Sequence, residues 1–242
     1  MTKVIGQYLE LDNALRKAEQ GHFRVAIFGS ARIDPEDAIY LAVNEVARKL
    51  AVMGIDIVTG GGPGLMEAAN RGVGDARMKR VRSYGLPLDI PGFREIANAH
   101  LDIKSMHQRF SSRLDEFMRL SDGIVVAPGG IGTLLELFYT WQLTQLSLVE
   151  PMPVILLGRD FWSGMIEWIR SEALGRHLIS SKDLDSVTIV DTPDEAVAAI
   201  APAFAAYRQE RRTRRIPRIS PTTLATPQGV APSPPVIKEL IP

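Results

Sequence analysis

The sequence predicts an α/β protein in which a mostly parallel sheet is covered by helices on both faces. Two observations carry this prediction. Short, continuously apolar runs recur along the chain, as in VAIFGS, IDIVTG, GIVVAP and PVILLG, and a stretch with helical periodicity follows most of them. Apolar runs without polar alternation are typical of strands buried on both faces. A chain of 242 residues with 45% hydrophobic residues is long enough to bury one large core. We therefore expect a Rossmann-like three-layer sandwich.

The first half of the chain begins with a strand over residues 25–30 and a helix over 36–54 that stops at Gly54. One apolar helix face is predicted from Ala38, Leu41, Ala42, Val46, Leu50 and Val52. IDIVTG is the second strand, and a helix follows over 64–76, with Pro63 suited to its first turn. SYGLPL is a short strand candidate, and a loop with Pro91 and Gly92 leads to the strand HLDIK.

The second half repeats the alternation of strand and helix. A helix is predicted over 106–120, followed by the strand GIVVAP and a helix over 131–146. PVILLG, a helix over 161–173, the strand SVTIV and a helix over 193–212 complete the pattern. The order of the strands in the sheet does not follow from one sequence.

Composition divides the chain into a body, residues 1–215, and a tail, residues 216–242. The tail holds seven of the sixteen prolines, which predicts that it is disordered or lies on a neighbouring surface. Just before it, RQERRTRRIPR concentrates six arginines around Glu210: Arg208, Arg211, Arg212, Arg214, Arg215 and Arg218. The segment is either an arm for an anionic partner or a solvated helix end whose arginines complement the helix dipole.

Charge and cysteine content exclude several classes of function. The formal net charge is zero, so binding nucleic acid by bulk charge is not expected. The absence of cysteine excludes disulfides, a thiol nucleophile and cysteine metal sites. The apolar runs are shorter than a membrane span and the start does not resemble a signal peptide, so we expect a soluble, cytoplasmic protein.

Two glycine-rich turns follow the first two strands. Gly29 allows close approach to the backbone, and Ser30 adds a hydroxyl group. Gly61 and Gly62 belong to a glycine triplet that precedes a helix, where they either admit a ligand or form a tight packing turn.

The third glycine-rich turn, APGGIGT, gives the clearest signal. Gly129, Gly130, Ile131 and Gly132 leave backbone amides uncovered at the start of a helix, and Thr133 adds a hydroxyl group. Such a helix start attracts a phosphate group. Glu136 follows one helical turn later. It is either a residue that takes part in the chemistry of the site or a surface residue that stabilises the start of its own helix.

Other common sites are not predicted. Neither glycine loop completes the dinucleotide pattern G-x-G-x-x-G or the phosphate loop of nucleoside triphosphatases. The four histidines, His22, His100, His107 and His177, lack the spacing of metal ligands. We therefore expect a site for a single phosphate group, with no metal and no cofactor.

Two strings, GGGPGLMEAANRG and PGGIGTLLE, resemble the signature motifs of the LOG family of cytokinin riboside 5′-monophosphate phosphoribohydrolases, often labelled lysine decarboxylases. The second motif, P-G-G-x-G-T-x-x-E, is matched in full from Pro128 to Glu136. The resemblance implies a Rossmann-like homodimer that hydrolyses an AMP-like nucleoside 5′-monophosphate to a free base and ribose 5-phosphate. No lysine lies in the glycine loops, so pyridoxal phosphate chemistry is not expected.

The resemblance also implies that an arginine on the preceding helix works with Glu136. Arg113, counted back without gaps from the motif, is our candidate for catalysis. Arg109 lies four residues earlier, on what we predict is the same helix face. It is either a phosphate or dimer contact or simply an exposed arginine.

The chain also departs from the family pattern. Leu114 and Leu135 replace the family's lysine after the arginine and the first glutamate of its pair, and residues 77–100 are closer to the larger bacterial nucleotide nucleosidases. A second hypothesis is a non-catalytic carrier of a phosphorylated cofactor, similar to the molybdenum-cofactor carrier proteins. Retention of a ligand without turnover would distinguish that carrier from an enzyme.

Overall fold

The computed structural model describes residues 21–214, and the side chains of residues 21–211. The predicted boundary between body and tail and the arginines after Arg211 therefore lie outside the residues whose side chains are described. None of the helices in residues 21–214 is both long enough and apolar enough to cross a bilayer.

Seven parallel strands form the main sheet, and a separate two-stranded antiparallel hairpin lies beside it. The main-sheet strands are β1 (Arg24–Phe28), β2 (Asp56–Thr59), β3 (Ser83–Gly85), β6 (Ile103–Lys104), β7 (Gly123–Val126), β8 (Val154–Leu157) and β9 (Val187–Val190). The hairpin strands are β4 (Asp89–Ile90) and β5 (Phe93–Arg94).

Helices connect these strands. They are α1 (Ala38–Met53), α2 (Leu65–Asp75), α3 (Phe110–Leu120), α4 (Ile131–Gln145), α5 (Arg159–Trp168), α6 (Ser181–Asp185) and α7 (Pro193–Arg214). A π-helical segment, Ile169–Leu174, extends α5. Gly54 ends α1 in the left-handed conformation, with φ 93°, as the sequence predicts.

The strand order is β6-β3-β2-β1-β7-β8-β9. The chain builds outward from β1 on one side, then returns to place β7 on the other side of β1. Such a reversal creates a crevice beyond the carboxyl ends of the two central strands, which is where parallel α/β sheets bind ligands.

Side chains of the central strands alternate between two cores, one on each face of the sheet. Val25 and Ile27 of β1 face the core formed with α1, α2 and α7. Ala26 and Phe28 face the other core, to which α3, α4 and α5 contribute. Both faces are therefore buried, and the predicted three-layer α/β sandwich is confirmed.

The predicted apolar face of α1 is partly wrong. Leu41 and Val52 are exposed, whereas the buried stripe is formed by Tyr40, Val43, Val46, Ala47, Leu50 and Ala51. Gly72 of α2 explains the difference, because a Cβ at this position would lie 2.3 Å from the Asn44 carbonyl oxygen and 3.0 Å from the Ala47 Cβ. The two helices approach closely through small residues, and this contact rotates α1 relative to the predicted orientation.

Three local predictions also differ from the structure. The loop around Pro91 and Gly92 is the turn of the β4–β5 hairpin, and two-residue strands give too little pattern to be recognised. The helix predicted over 106–120 begins only at Phe110. Pro63 lies before Gly64, the N-cap of α2, and not in the first helical turn.

Candidate active site

The three glycine-rich turns predicted from the sequence lie next to one another at the carboxyl ends of the strands. They follow β1, β2 and β7, which are neighbours in the sheet. The Ser30 amide donates to the Pro128 carbonyl at 3.1 Å, and the Ser30 carbonyl accepts from the Leu65 amide at 2.9 Å. The backbone of Ser30, in the first turn, is therefore hydrogen-bonded to the segments of both other turns. Its hydroxyl group accepts a hydrogen bond from the Arg32 amide.

The amides from Gly129 to Thr133 donate no hydrogen bond to any acceptor in residues 21–214. The first helical bond of α4 is that from the Leu134 amide to the Gly130 carbonyl. Thr133 is buried, and its hydroxyl oxygen would lie 2.2 Å from a Cβ at Gly129, so this loop position tolerates only glycine. Uncovered amides at the start of a 15-residue helix can donate hydrogen bonds to an anion.

A buried polar network holds the second turn, Gly60–Gly62. The Thr59 hydroxyl accepts from the Gly61 amide at 2.9 Å and donates to the Asn70 side-chain oxygen at 2.8 Å. The Asn98 side-chain amide donates to the carbonyls of Gly61 and Gly62 at 3.1 and 2.9 Å and to the same Asn70 oxygen at 2.9 Å. These hydrogen bonds fix the conformation of the turn.

Arg113 and Glu136 come together beneath these turns. The Arg113 Nη2 atom lies 3.7 Å from the Glu136 Oε1 atom, and both side chains are largely buried. The Arg113 Nη1 atom donates to Glu95 Oε1 at 3.4 Å, and the other Glu95 oxygen accepts from the Leu88 amide at 3.0 Å. One guanidinium group thus lies between two carboxylates, one from α4 and one from the segment that follows the β4–β5 hairpin.

The pKa of Glu136 rises from its ordinary value to about 7. Burial is the main cause, since a charged carboxylate loses hydration there, and the neighbouring Glu95 charge raises the pKa further. The Arg113 charge lowers it but does not outweigh burial. Glu136 can therefore both accept and donate a proton near neutral pH, which is a property of catalytic carboxyl groups.

Gly60 provides the space that Arg113 occupies. A Cβ at Gly60 would lie 2.1 Å from Arg113 Nη2 and 2.7 Å from Met66 Sδ, closer than unbonded atoms approach. Of the glycine triplet, Gly61 and Gly62 are the residues that the sequence predicts for the site. The structure shows that the first glycine of the triplet makes the closest contact with the arginine.

We expect Gly60→Ala to displace the Arg113 guanidinium group and to lower kcat/KM by about 10²-fold, because an error of 1 Å in a catalytic group has an effect of this order. The matched control is Gly74→Ala in α2, where a Cβ meets no atom within 4 Å. That change should stabilise the protein by about 0.5–1 kcal/mol through helix propensity and leave kcat/KM unchanged. Steady-state kinetics and thermal unfolding of both variants measure the difference. Equal kcat/KM in the two variants would contradict this role of Gly60.

Arg109 does not share a helix face with Arg113. It is the N-cap of α3, with extended backbone at φ −148° and ψ 144°, and its side chain is exposed. It lines a cleft beside the β4–β5 hairpin and not the turns that surround Glu136. The prediction assumed that the helix begins at residue 106, which would have placed both arginines on the same stripe.

Several residues of the site were not singled out from the sequence, among them Glu95, Asn70 and Asn98. Asn70 lies inside the motif GGGPGLMEAANRG, and its position on the buried face of α2 is the signal that could have found it. Glu95 and Asn98 lie in an irregular segment after the hairpin, where no periodicity predicts the direction of a side chain.

The fold and this site define a Rossmann-like α/β protein with a glycine-lined crevice and a buried arginine–glutamate pair. The chain belongs to the family described as "possible lysine decarboxylase", the LOG family, whose model matches residues 66–200.

The relatives that this chain resembles have names that refer to nucleotides. It is 29% identical over 168 residues to the pyrimidine/purine nucleotide 5′-monophosphate nucleosidase of Escherichia coli, across 65% of this chain and 36% of that protein. The chain thus matches little more than a third of the length of that relative. It is 27% identical over 183 residues to the cytokinin riboside 5′-monophosphate phosphoribohydrolase of Mycobacterium tuberculosis, across 76% of this chain and 96% of that one.

Among solved structures, the molybdenum cofactor carrier protein of Chlamydomonas reinhardtii has the same fold, with a TM-score of 0.56 and 22% identity, covering 76% of this chain and 99% of that one. This likeness concerns the fold alone.

Proposed function

We propose that this protein hydrolyses the N-glycosidic bond of a nucleoside 5′-monophosphate to a free base and ribose 5-phosphate. The observation that carries the proposal is the buried Arg113–Glu136 pair, 3.7 Å apart, one helical turn from five uncovered amides. The names of its relatives agree with this reaction. Decarboxylation of lysine receives no such support, because the three glycine turns contain no lysine for a Schiff base.

In this proposal the amides of Gly129, Gly130, Ile131 and Gly132, with Thr133, bind the 5′-phosphate. Gly29, Ser30, Gly61 and Gly62 form the adjoining walls of the crevice. Binding energy from the phosphate, which does not react, holds the ribose near Glu136 and thereby reduces the entropic cost of reaction.

Glu136 and Arg113 carry the chemistry. As the bond between C1′ and the base nitrogen breaks, the base leaves with the electron pair and positive charge develops on the ribose. The Glu136 carboxylate stabilises that charge and accepts a proton from the attacking water, whose oxygen bonds to C1′. That proton is then passed to the departing base. Arg113 orients Glu136 and favours its ionised form.

The proposed substrate is an AMP-like monophosphate, and cytokinin nucleotides belong to the same chemical class. A direct test incubates the protein with AMP, GMP, CMP, UMP, IMP and a cytokinin riboside monophosphate, and separates the products by chromatography. We expect a free base and ribose 5-phosphate in equal amounts from at least one of them. Tight retention of a nucleotide without release of base would instead support the carrier function.

The proposed role of Glu136 predicts how the rate depends on pH. If the ionised carboxylate acts, kcat/KM rises with pH through about 7, the pKa of Glu136. The Glu95 charge raises that pKa, so Glu95→Gln should move the rising limb to lower pH. A pH profile of kcat/KM for both proteins measures the shift. A limb that stays in place, or that moves to higher pH, would contradict the electrostatic coupling between the two carboxyl groups.

We also propose that the protein is cytoplasmic, where a chain without disulfides is at home.

We propose in addition that the protein is a homodimer. Ile131, Leu135 and Phe138 lie at helical spacing along α4 and are 82%, 44% and 44% exposed. A second copy of the chain is the partner we propose for this apolar stripe, which begins at the phosphate-binding turn.

Phe138→Glu should dissociate that dimer, raising the dissociation constant by about 10²-fold or more, because it would bury a charge at the interface. Leu41→Glu on the exposed face of α1 is the matched control and should leave the dimer intact. Analytical ultracentrifugation distinguishes the two states. A monomeric parent protein, or a dimeric Phe138→Glu variant, would contradict this interface.

A further inference from the structure

A cavity lies at the amino ends of the parallel strands, whereas the candidate active site lies at their carboxyl ends. Its volume is about 460 Å³, within the range of roughly 300–1,000 Å³ that is typical of small-molecule pockets. Its walls come from Gly21–Phe23 before β1, Met53 and Gly54 before β2, and Arg80 and Val81 before β3. Because parallel strands all begin on the same side of the sheet, these three segments lie next to one another. Residues of α7 form the remaining wall of the cavity.

Positively charged groups surround the opening. Within residues 21–211 the cavity is lined by Arg80, Arg208 and Arg211 and by no aspartate or glutamate. His22 also lines it and lies 3.3 Å from the Asp56 carboxylate. None of the three arginines forms an ion pair with a carboxylate of residues 21–214. The nearby carboxylates of Asp56 and Asp122 accept hydrogen bonds from the amides of Arg82 and Arg24, and Asp56 is fully buried. The cavity therefore presents concentrated positive charge, which an anion would neutralise.

The other surfaces of the cavity are apolar and aromatic. Phe23, Phe204 and Tyr207 pack edge to face, with ring centres 5.3 and 5.4 Å apart. The Arg208 and Arg211 guanidinium groups lie 5.7 and 5.8 Å from the centres of the Phe204 and Tyr207 rings. Arg211 also donates to the Gly21 carbonyl, which anchors α7 against the start of β1. The two arginines are thus held in place by the wall of the cavity.

We propose that this cavity is a second ligand site that binds a nucleotide-like anion, with its phosphate groups on Arg80, Arg208 and Arg211 and its planar ring against the apolar wall. The chemistry of the wall supports this class of ligand. Arginine forks match phosphate oxygens, and the apolar and aromatic side chains beside them suit an aromatic base. A volume of 460 Å³ favours a small molecule over a nucleic acid strand. The proposal does not depend on the function of the first site.

Photolabelling with 8-azido-ATP at constant ionic strength tests this site, because mapped peptides report each site separately. We expect labelling of a peptide from residues 53–54, 78–81 or 204–211, and excess ATP should suppress it. The double variant Arg208→Ala/Arg211→Ala should lower that labelling at least tenfold without changing any labelling of residues 128–136. Arg80→Ala, on a different and exposed segment, should also lower it, whereas the control Arg170→Ala/Arg176→Ala should not.

Three results would overturn the proposal. One is labelling confined to residues 128–136, and another is cavity labelling that the arginine variants do not reduce. The third is suppression by tripolyphosphate as strong as that by ATP, together with no suppression by adenosine, which would indicate a site for phosphate alone.

Discussion

Glu136→Gln should abolish nearly all release of base, lowering kcat by about 10³-fold or more, in the range that general acid–base and electrostatic groups contribute. The amide keeps the shape of the side chain but can neither accept the proton of water nor balance positive charge on the ribose. Substrate affinity should change little, since the proposed phosphate site consists of backbone amides one turn away. Single-turnover kinetics and a binding titration of the same variant separate the two effects.

The stability of this variant provides an internal check. The folded-state pKa of Glu136, about 7, lies above its ordinary value, so ionisation of Glu136 destabilises the fold as pH rises from about 4.5 to 7. Glu136→Gln should therefore be more stable than the parent at pH 8, and this advantage should disappear near pH 4. Glu167→Gln, at an exposed position on α5, is the control and should change neither activity nor stability. Loss of fold in Glu136→Gln, or full activity, would contradict the assignment.

Arg113→Ala should lower both activity and stability. Arg113 is the buried cation between Glu95 and Glu136, and without it two carboxylates face each other in a poorly hydrated site. Breaking a buried ion pair in this way costs about 3–5 kcal/mol. The destabilisation should be larger at pH 8 than at pH 5, because removal of Arg113 raises the pKa of Glu136 further and Glu136 takes up a proton at the lower pH. We expect kcat/KM to fall by about 10²-fold or more, because Glu136 loses its positioning group.

Arg109→Ala is the natural comparison, because it removes the same charge four residues earlier at an exposed position. Its kcat/KM should stay within about threefold of the parent value, as expected for a surface substitution. Denaturant unfolding at pH 5 and pH 8, together with kinetics, measures both variants. If Arg109→Ala were the more damaging change, the assignment of the two arginines would have to be exchanged.

The sequence predicted those features of the fold and site that depend on local pattern. Continuous apolar strands and intervening helices gave the sandwich, and the glycine turns were located because glycine has few other reasons to cluster at strand ends. Gly54 as a helix stop follows from backbone geometry alone. The contact between Arg113 and Glu136 agrees with the arginine that ungapped counting selected.

Features that depend on tertiary contacts were not predictable in the same way. The rotation of α1 is set by its contact with Gly72 on another helix, so no periodicity within α1 reveals it. The start of α3 at Phe110 reflects extended backbone at Arg109, whose neighbours in sequence would suit a helix. Glu95 directly follows the β4–β5 hairpin, whose strands of two residues each give no recognisable pattern, and its role appears only when Arg113 is seen between two carboxylates.

The central claim is that the backbone amides of residues 129–133 bind a monophosphate and so hold a sugar against Glu136. A crystal structure of Glu136→Gln soaked with a nucleoside 5′-monophosphate tests it most directly. We expect the phosphate oxygens within hydrogen-bonding distance of those amides and the C1′ atom beside residue 136. A nucleotide whose phosphate lies elsewhere, or a crevice that stays free of nucleotide at saturating concentration, would contradict it.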